Sequence, residues 1–545
     1  MREIILSNEA NCEHCYKCLR NCYVKSISFN QGKSEVISDA CIYCGKCITI
    51  CPQKARDYVR DYPLLKDYIG HPFLVSMAPS FYAHFDYPLK VIAMLKTLGA
   101  VAVQETAVGA DIVSYAYTQY LKKRGKPVIS TACPVIVDLA EKYYPQANDF
   151  MAPFVSPMVA HSLFLRNHFG TLPAFFIGPC IAKKREGEQH YDLILTFEEI
   201  DQFISEEKID LSLFEDAFPT PPYPGRGRFY PVSGGINATI DGHWNRYVVI
   251  EGIDNVVKLF KSLNEVEEPY FFETAACANG CIDGTGIRKD ISFIEKRSRV
   301  LRYNQLLAEV KGARIDPAHL KLDFSRSFIS RKKPLSVSEE EIQKVLLSIG
   351  KKDPKEELNC SACGYNTCRE KAAAVVIGKA EREMCVTYMI EKITSASNLV
   401  AEETPNVVVI YKNNKVIFLN KAAKTFFDSI RKTEQEILTM VRTFEASEKT
   451  IVELERINRV FFVKTFDLPD NNGKVLILTD LTKERQQEER LRQLKHETFS
   501  KIDVVLDKQM RLAQEIAGLL GESIAETKSH FVEFKRFMED DDDNL

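Results

Sequence analysis

The sequence predicts a multidomain protein with an α/β core and several metal-binding loops. Its 545 residues are too many for one hydrophobic core and indicate roughly three or more domains. Between residues 65 and 330, short apolar runs typical of buried strands alternate with segments of helical periodicity, as expected of an α/β fold. All 16 cysteines fall into four groups of four that end at Cys385, and the rest of the chain has none.

The composition is that of an ordinary soluble protein. Apolar residues make up 45% of the chain, charged residues 27%, and the net charge is -3, which does not indicate a nucleic-acid or membrane partner. Apolar runs are far shorter than the ~18 residues of a membrane-spanning helix, and the N-terminus lacks a signal-peptide layout. We therefore expect a cytoplasmic protein that binds neither membrane nor nucleic acid. Disulfides are the competing interpretation of the cysteines, but tight CxxC spacing in such a chain favours metal.

The first domain, at residues 1–60, contains the strongest metal-binding motif. Two CxxCxxCxxxC runs are formed by Cys12, Cys15, Cys18 and Cys22 and by Cys41, Cys44, Cys47 and Cys51. They resemble the runs of bacterial ferredoxins with two 4Fe-4S clusters, in which the fourth cysteine of each run binds the other cluster. The resemblance implies one cluster on Cys12, Cys15, Cys18 and Cys51 and a second on Cys41, Cys44, Cys47 and Cys22. Tyr23 replaces the proline that usually follows the first run, and zinc is a poor alternative for this spacing. We expect the domain to conduct electrons.

Residues 61–330 form the second predicted domain, with four cysteines on three separate stretches. STACPVI contains Cys133, IGPCIAKKRE contains Cys180, and ETAACANGCIDGTG contains Cys277 and Cys281. Each cysteine lies beside a turn-forming residue, which indicates loops on which the thiols can converge. In PAFFIGPC an apolar strand ends at the cysteine, and α/β folds keep their sites at this end of the strands. Four convergent thiolates are typical ligands of an iron-sulfur cluster or of zinc.

In this order the three stretches resemble the signature loops of the iron-only (FeFe) hydrogenases. In that family the four cysteines hold a 4Fe-4S cluster, and the last, here Cys281, bridges to a two-iron subcluster with CO, cyanide and dithiolate ligands that maturation proteins supply. Lys183 matches the lysine that hydrogen-bonds one cyanide, and Ala78-Pro79-Ser80 resembles the segment around the other. The resemblance implies that H2 is split or formed at the distal iron, with electrons exchanged with a ferredoxin or another redox partner.

Other residues gain significance only from their place within this resemblance. Glu186 lies three residues after Lys183, and both are typical of solvated surface charges when taken alone. Ser233-Gly234-Gly235 resembles a segment near the family's active centre, although two glycines alone indicate only a turn.

Departures from the hydrogenase pattern point to slow proton supply. Hydrogen-evolving members have a proton-transferring cysteine just before the first ligand, where this chain has Ala132, which has no titratable proton. Gly178 and Ala275 replace two methionines near the second and third ligands, and residues 116–120 lack the glutamates of the proton path. The family branch with such losses is regarded as sensory.

Residues 331–397 are predicted to form a small helical iron-sulfur domain. A polar connector leads to Ser338 and Glu341, which form a capping box for a short helix. The motif that follows contains Cys360, Cys363, Cys368 and Cys385. It resembles a domain in which a loop donates three thiolates to one 4Fe-4S cluster and the end of an alanine-rich helix donates the fourth; zinc is the competing metal. We expect a relay between the hydrogenase-like domain and the C-terminal part.

The C-terminal part is predicted to comprise a PAS domain at residues 398–484 and a signalling helix at residues 485–545. Two strands joined at Asn413-Asn414 precede a helix, and two longer strands surround residues 471–473. This order resembles a compact α+β PAS domain, whose short middle leaves little room for a cofactor. The last segment ends in the acidic tail EDDDDNL and has an apolar stripe suited to a coiled coil, through which we expect a homodimer. The stripe consists of Leu491, Leu494, Ile502, Leu506, Met510, Ala513, Ile516 and Leu520.

Together these patterns predict a sensory FeFe-hydrogenase-like protein with four 4Fe-4S clusters and one two-iron subcluster. We expect slow, reversible H2 cleavage and electron flow through the clusters to the PAS and helical region, which acts on an unknown signalling partner. Two alternatives remain open. One is a catalytic, ferredoxin-linked hydrogenase with another proton path, and the other is an electron-transfer or redox-sensing protein that contains only 4Fe-4S clusters.

Overall fold

The fold is described from a computed structural model of the chain, which describes residues 2–240, 246–332, 337–413, 415–446, 450–469 and 473–540. The chain divides into two units, Met1–Met389 and Ile390–Leu545. Asn414, residues 471–472 and residues 541–545, on which the predicted turns and acidic tail fall, lie outside the described residues.

The N-terminal domain folds around its two cysteine runs. Its elements are β1 Ile5–Ser7, α1 Lys17–Arg20, β2 Ile27–Asn30, β3 Lys33–Val36, α2 Lys46–Ile50 and β4 Arg56–Tyr58. Strand β1 pairs antiparallel with β4, and β2 pairs antiparallel with β3. Each cysteine run leads into one of the two short helices, while Leu19, Ile27 and Phe29 are buried in the core.

The central domain is built on two parallel sheets, as the alternating sequence pattern predicts. Its strands are β5 Phe73–Met77, β6 Ala100–Glu105, β7 Val128–Ile129, β8 Ala174–Gly178, β9 Leu193–Thr196, β10 Tyr247–Glu251 and β11 Phe271–Ala275. One sheet has the order β6-β5-β8-β9 and the other β10-β11-β7. Strands β5 and β8 are buried along their whole length, which is typical of parallel strands covered on both faces.

The helices of this domain follow the strands in chain order. They are α3 Phe81–His84, α4 Pro88–Thr97, α5 Ala107–Leu121, α6 Pro134–Tyr143, α7 Pro157–Phe169, α8 Ala182–Glu186, α9 Phe197–Glu206, α10 Ile253–Ser262 and α11 Phe293–Ala308. The apolar run of PAFFIGPC forms β8, which ends at Gly178 just before the cysteine loop, so the predicted strand and the α/β alternation are confirmed. The α/β architecture therefore places every central cysteine loop after a parallel strand.

The four-cysteine domain contains α12 Glu339–Ser348 and α13 Cys368–Val376, and α14 Val386–Glu403 follows it. The predicted capping box is present, because the Ser338 hydroxyl accepts from the Glu341 N–H and the Glu341 carboxylate accepts from the Ser338 N–H. The expected origin of Cys385 is wrong. Helix α13 begins at Cys368 and ends before Gly378, whose φ of +71° stops it, so Cys385 follows a short turn and directly precedes α14.

The C-terminal unit contains a five-stranded antiparallel sheet. Its elements are β12 Val407–Lys412, β13 Lys415–Leu419, α15 Lys421–Ser429, α16 Glu434–Ala446, β14 Ile451–Leu454, β15 Arg459–Asp467, β16 Lys474–Asp480 and α17 Thr482–Asp540. The sheet order is β13-β12-β16-β15-β14. Helix α16 and strand β14 are additional to the predicted elements. Strand β14 is short and only half-buried, which explains its weak sequence signal.

The C-terminal unit contains a cavity, although its short middle segment predicts little room for a cofactor. A cavity of about 430 Å³ lies between α15 and the sheet, and Val407, Phe426, Phe461 and Leu478 contribute its apolar lining. The apolar stripe of α17 is exposed in the single chain, with Leu491 at 55% and Leu520 at 56%. Within the ranges that the structure describes, no helix combines the length and the apolar character needed to cross a bilayer.

Candidate metal centre

Four cysteines from three loops of the central domain line one cavity of about 520 Å³. Cys133 follows β7, Cys180 follows β8, and Cys277 and Cys281 lie on the loop after β11. Strands β7 and β11 are parallel neighbours in one sheet, so the loops after them meet at its carboxyl edge. The loop after β8, which belongs to the other sheet, joins them at the cavity. The structure thus brings together the four predicted ligands of the central site.

Glycines permit the close approach of these loops. Gly280 has a φ of +76°, and a Cβ atom at this position would lie 2.7 Å from the Pro231 carbonyl oxygen. A Cβ atom on Gly284 would lie 2.5 Å from the carbonyl oxygen of Pro179, which directly precedes Cys180. Side chains at either glycine would therefore displace the loop that contains Cys277 and Cys281.

The central thiols are poorly suited to ionise without a nearby cation. Burial raises the pKa of Cys180 to about 11 and that of Cys281 to about 12, and the neighbouring thiols act in the same direction. The pKa of Cys277 is raised for the same reasons. Cys281 is exposed and lines the cavity. Bound iron would supply the positive charge that such thiolates need.

Lys183 lies at the cavity wall, where Glu186 holds its ammonium group. Lys183 Nζ donates to Glu186 Oε2 at 2.6 Å, to the Ala132 carbonyl at 3.2 Å and to the Ser156 hydroxyl at 3.3 Å. The two side chains are 13% and 6% exposed, so neither is a solvated surface charge. Glu186 Oε1 is buried and has no hydrogen-bond partner among the described residues.

Pro79 and Ser80 line the same cavity from the end of β5. The Ser80 hydroxyl is buried and lacks a hydrogen-bond partner in the part of the chain that the structure describes. A buried hydroxyl without a partner is costly, and a ligand that accepts a hydrogen bond there would remove this cost. Four thiols, an ammonium group and this hydroxyl around one cavity of cofactor size therefore fit an iron cluster with small anionic ligands.

The residues that depart from the hydrogenase pattern lie close to the site. Ala132 and Ala275 line the cavity, so both replacements leave small apolar side chains at its wall. A Cβ atom on Gly178 would instead collide with the Phe176 ring, which fills the adjacent space. In α5, the Tyr117 hydroxyl lies 3.1 Å from the Thr131 hydroxyl, in the segment from which the expected glutamates are missing.

Two carboxylates at the cavity were not predicted from the sequence. Glu251 and Glu273 line it from β10 and β11. Burial raises the pKa of Glu273 to about 7, and its Oε2 accepts from the Asn237 N–H at 3.0 Å. The backbone of Gly234 and Ile236 also lowers this pKa, so the carboxylate lies close to the Ser233-Gly234-Gly235 segment. The only sequence signal is a glutamate inside the apolar run FFETA.

The ferredoxin cysteines group as two sets in the N-terminal domain. Burial raises the pKa of Cys41 to about 11 and of Cys44 to about 12, and Cys22 acts on both in the same direction. Cys22 thus lies with the second run, although it belongs to the first in sequence. Burial likewise raises the pKa of Cys18, with Cys12 as a neighbouring group.

One ferredoxin loop reaches the central cavity. Tyr23 and Cys44 contribute to the cavity wall. A Cβ atom on Gly45 would collide with Thr285 and lie 3.1 Å from Cδ1 of Ile181, so the two domains touch at this glycine. Gly45 directly follows Cys44, and Ile181 directly follows Cys180. The loops of two predicted metal sites therefore contact each other next to their ligands.

The third cysteine motif surrounds a buried lysine. Lys371 is 1% exposed and donates to the Arg382 carbonyl at 3.1 Å. Burial lowers the pKa of Lys371, while Cys385, Cys363 and Cys368 oppose this effect. Burial also acts against ionisation of Cys385, but a hydrogen bond with Thr387 and other nearby donors leave its pKa lowered. Cys360 is exposed and acts electrostatically on Cys363.

None of the 16 cysteines, all of which the structure describes, is paired in a disulfide. Within the described ranges, no three or more His, Cys, Asp or Glu side chains are arranged to hold a single metal ion. The four central cysteines instead line one shared cavity.

Comparison with protein families agrees with this domain order. Residues 71–242 and 236–285 match the family described as iron only hydrogenase large subunit, C-terminal domain. Residues 4–52 match the family described as 4Fe-4S dicluster domain. Residues 356–387 match the family named FeS, whose description is that of an Fe-S cluster.

Individual relatives are distant and are matched over part of their length. The chain is 22% identical to the NADP-reducing hydrogenase subunit HndD of Solidesulfovibrio fructosivorans, over 53% of this chain and 65% of that one. It is 23% identical to Iron hydrogenase 1 of Clostridium pasteurianum, over 39% of this chain and 49% of that one. Both shares fall below two thirds of the relative's length.

Among solved structures, FeFe-hydrogenase HydA1 from Chlamydomonas reinhardtii matches with 16% identity and a TM-score of 0.36, covering 48% of this chain and 95% of that chain. The family matches relate the chain to the FeFe hydrogenases as a hydrogenase-like iron-sulfur protein. The segment that matches the iron-only hydrogenase large-subunit family lies between a segment that matches a dicluster ferredoxin domain and one that matches a further Fe-S family.

Proposed function

We propose that this protein is a sensory FeFe-hydrogenase-like protein that cleaves H2 reversibly and slowly. The observation that carries the proposal is the convergence of Cys133, Cys180, Cys277 and Cys281 on one cavity, together with Lys183. Neutral thiols pack readily as small apolar groups, whereas these four line an unfilled cavity of about 520 Å³, which favours a bound group over core packing.

The central residues have distinct roles in this proposal. Cys133, Cys180, Cys277 and Cys281 would hold a 4Fe-4S cluster, and Cys281 would also hold the two-iron subcluster. When bound, the subcluster would supply an open iron site at which H2 can react. Ser80 would donate a hydrogen bond to one anionic diatomic ligand, and Lys183 would donate to another by exchanging its longer bond to Ala132 or Ser156. Glu186 holds the ammonium group of Lys183, and Pro79 adds apolar wall beside Ser80.

Proton supply explains why turnover would be slow. Ala132 offers no proton at the position where active hydrogenases have cysteine. Glu273 reaches the cavity, and a carboxyl group with a pKa of about 7 can accept and release a proton near neutral pH. The hydrogen bond from the Asn237 backbone N–H holds the Glu273 carboxyl group in one position, so this group would transfer protons only slowly.

Electrons would leave the central site through the ferredoxin domain. The contact of Gly45 with Ile181 and Thr285 brings the loop of Cys44 against the loop of Cys180. A ferredoxin or another redox partner could exchange electrons with the same clusters. Maturation proteins would have to deliver the two-iron subcluster, and free thiols suit a reducing compartment such as the cytoplasm.

The C-terminal unit would act as a PAS-type signalling module. Its sheet order and the two helices α15 and α16, which share one apolar core with the sheet, support this interpretation. The exposed apolar stripe of α17 supports a homodimer through a coiled coil. A signal would pass if reduction of the clusters favoured one of two arrangements of this unit and thereby changed its affinity for an unknown signalling partner.

Turnover of the matured protein tests the sensory proposal against a catalytic hydrogenase. With excess dithionite and a redox mediator, we expect slow H2 evolution, together with reduction of the iron-sulfur clusters under H2 alone. H2 evolution at rates typical of efficient enzymes, about 10³ s⁻¹ or more, would contradict the sensory proposal and favour the catalytic one. No response to H2 in protein with intact 4Fe-4S clusters would favour the redox-only alternative.

A further inference from the structure

We propose that the four-cysteine domain receives electrons from the ferredoxin domain through the contact between Leu19 and Gly364. The cluster of the four-cysteine domain is then the terminal electron acceptor of the relay. This inference rests on the proposed presence of 4Fe-4S clusters at the cysteine sites. It differs from the relay expected from domain order, in which this domain would follow the hydrogenase-like domain directly.

The two domains pack together over a continuous surface. The backbone N–H of Phe29 donates to the Lys379 carbonyl at 3.0 Å, and Arg20 Nη1 donates to the Ala362 carbonyl at 2.9 Å across 342 positions of sequence. Gln31 donates its backbone N–H to the Glu381 carboxylate. The four-cysteine domain is therefore docked on the ferredoxin domain by hydrogen bonds from both α1 and β2.

The Leu19–Gly364 contact lies next to a predicted cluster ligand on each side. Leu19 directly follows Cys18, and Gly364 directly follows Cys363. A Cβ atom on Gly364 would lie 2.8 Å from Cγ of Leu19, which is fully buried. Only a glycine permits this approach, so the two ligand loops meet as closely as backbone and an aliphatic side chain allow.

Electrostatic effects place the cysteines of both domains near shared side chains. Tyr365 is buried, and burial followed by the charges of Cys363 and Cys22 raises its pKa. Lys25 is affected by Cys22 and Cys363 together. One tyrosine and one lysine thus lie within range of ligands from two different cluster sites.

The same arrangement recurs where the ferredoxin domain meets the central site. There Gly45, which follows Cys44, contacts Ile181, which follows Cys180. Both contacts join a glycine with positive φ and an aliphatic residue, each directly after a ligand cysteine. The ferredoxin domain therefore has two equivalent contacts, one toward the central site and one toward the four-cysteine domain.

The electron count of this relay balances. One H2 yields two protons and two electrons, and each 4Fe-4S cluster accepts one electron. At the Leu19–Gly364 contact a reduced ferredoxin cluster loses one electron and the oxidised cluster of the four-cysteine domain gains it, with no proton or bond transferred. Cys385, a ligand of this terminal cluster, directly precedes α14, so the electron arrives beside the helix that leads out of the domain.

Spin-spin interaction in the full-length reconstituted protein tests whether the clusters are neighbours. In dithionite-reduced wild type, we expect electron paramagnetic resonance to detect an interaction between the four-cysteine cluster and a ferredoxin cluster. The double variant Cys360→Ser with Cys385→Ser should lose it while the ferredoxin signals remain. Ferredoxin signals identical in wild type and double variant would overturn the proposal.

A matched pair of glycine variants tests the contact itself. Gly364→Ala should slow the freeze-quenched reduction of the terminal cluster by reduced ferredoxin clusters severalfold. Gly170→Ala, in the central domain, also places alanine at a positive φ but meets open space, so it should leave this rate unchanged. Leu19→Ala, which involves no backbone strain, serves if Gly364→Ala does not assemble, and iron content verifies assembly. Equal rates in all variants would contradict the proposal.

The dithionite experiment needs no hydrogenase chemistry, which separates the two proposals. If H2 reduces no cluster while the spin-spin interaction is present, the proposed hydrogenase function fails and the relay stands. If H2 reduces the ferredoxin clusters but never the terminal one, the relay fails and the hydrogenase function stands.

Discussion

Single side chains at the central cavity determine how it handles charge. Lys183 and Glu186 form a buried ion pair that presents an ammonium group to the cavity, and burial of the thiols makes bound cations necessary for their ionisation. In contrast, position 132 contributes only a methyl group. The cavity therefore has groups that can hold anionic ligands, and its candidates for proton transfer are the carboxyl groups of Glu251 and Glu273 rather than a thiol at position 132.

Ala132→Cys tests whether proton supply at this position limits turnover. A thiol at the cavity wall would add a titratable group, and general acid-base groups typically contribute about 10²- to 10⁴-fold. We expect H2 evolution by the matured variant to rise about tenfold or more. Ala132→Ser is the control of similar size, because its hydroxyl does not titrate in this range. Equal rates in the two variants would mean that protons are not limiting here.

Glu273 should titrate near neutral pH. Its pKa is raised from 4.5 to about 7 by burial, with Glu251, Tyr117 and Tyr230 as neighbouring titratable groups. A carboxyl band in the infrared spectrum should therefore disappear as the pH rises through about 7, and Glu273→Gln should lack this change. A spectrum without any carboxyl titrating above pH 6 would contradict the assignment.

The raised pKa of Glu273 also makes the stability of the fold change with pH in a defined direction. Between about pH 4.5 and 7 the folded state binds a proton that the unfolded state has lost. Stability should therefore decrease as the pH rises through this window, by roughly 3 kcal/mol at most from this group. Glu273→Gln should remove that part of the pH dependence in chemical unfolding.

At the scale of elements, the loops between strands and helices assemble the site. The loop after β11 contains two ligands and depends on Gly280, whose positive φ and proximity to the Pro231 carbonyl exclude a side chain. The contacts of Gly45 and Gly364 show the same use of glycine beside a ligand cysteine.

Gly280→Ala should therefore prevent assembly of the central site. The added Cβ atom would push the loop of Cys277 and Cys281 away from Pro231, and we expect iron content to fall by about one 4Fe-4S cluster per chain. Gly70→Ala has a comparable positive φ and no atom within 4 Å of the added Cβ, and Gly70 does not line the cavity, so this variant should retain full iron content. Full iron content in Gly280→Ala would contradict this view of the loop.

Local patterns predict most elements but few of the contacts between them. The apolar run of β8 and the capping box at Ser338 are set by neighbouring residues and are confirmed. Helix α13 is shorter than its alanine-rich sequence predicts, because Gly378 adopts a positive φ and ends the helix. The Leu19–Gly364 contact and the burial of Glu273 depend on segments far apart in the chain, for which one sequence contains no local signal.

At the scale of the whole molecule, each unit has a separate task in the account. Residues 1–389 contain all cysteines, the central cavity and the contacts between cluster loops. Residues 390–545 contain the antiparallel sheet and the long helix α17, whose apolar stripe is exposed. An exposed stripe of this length favours association with a second copy of the chain.

The stripe predicts a homodimer that depends on Leu506. Leu506→Glu should shift the full-length protein from dimer to monomer in sedimentation experiments, because a charge would be buried between two helices. Arg511→Glu lies on the opposite side of the helix, so it should leave the dimer intact despite a larger change of charge. A wild-type monomer at all concentrations would contradict the coiled-coil proposal.

The central claim is that four cysteines on three loops anchor an iron pair with diatomic ligands. Infrared spectroscopy of the full chain, produced with the maturation proteins, tests it most directly, with Cys281→Ser as the matched variant. We expect bands of iron-bound CO and cyanide in the wild-type protein. Cys281→Ser should lose these bands, and both proteins should retain the ferredoxin clusters. Absence of the bands from wild-type protein with a full complement of 4Fe-4S clusters would contradict the central claim.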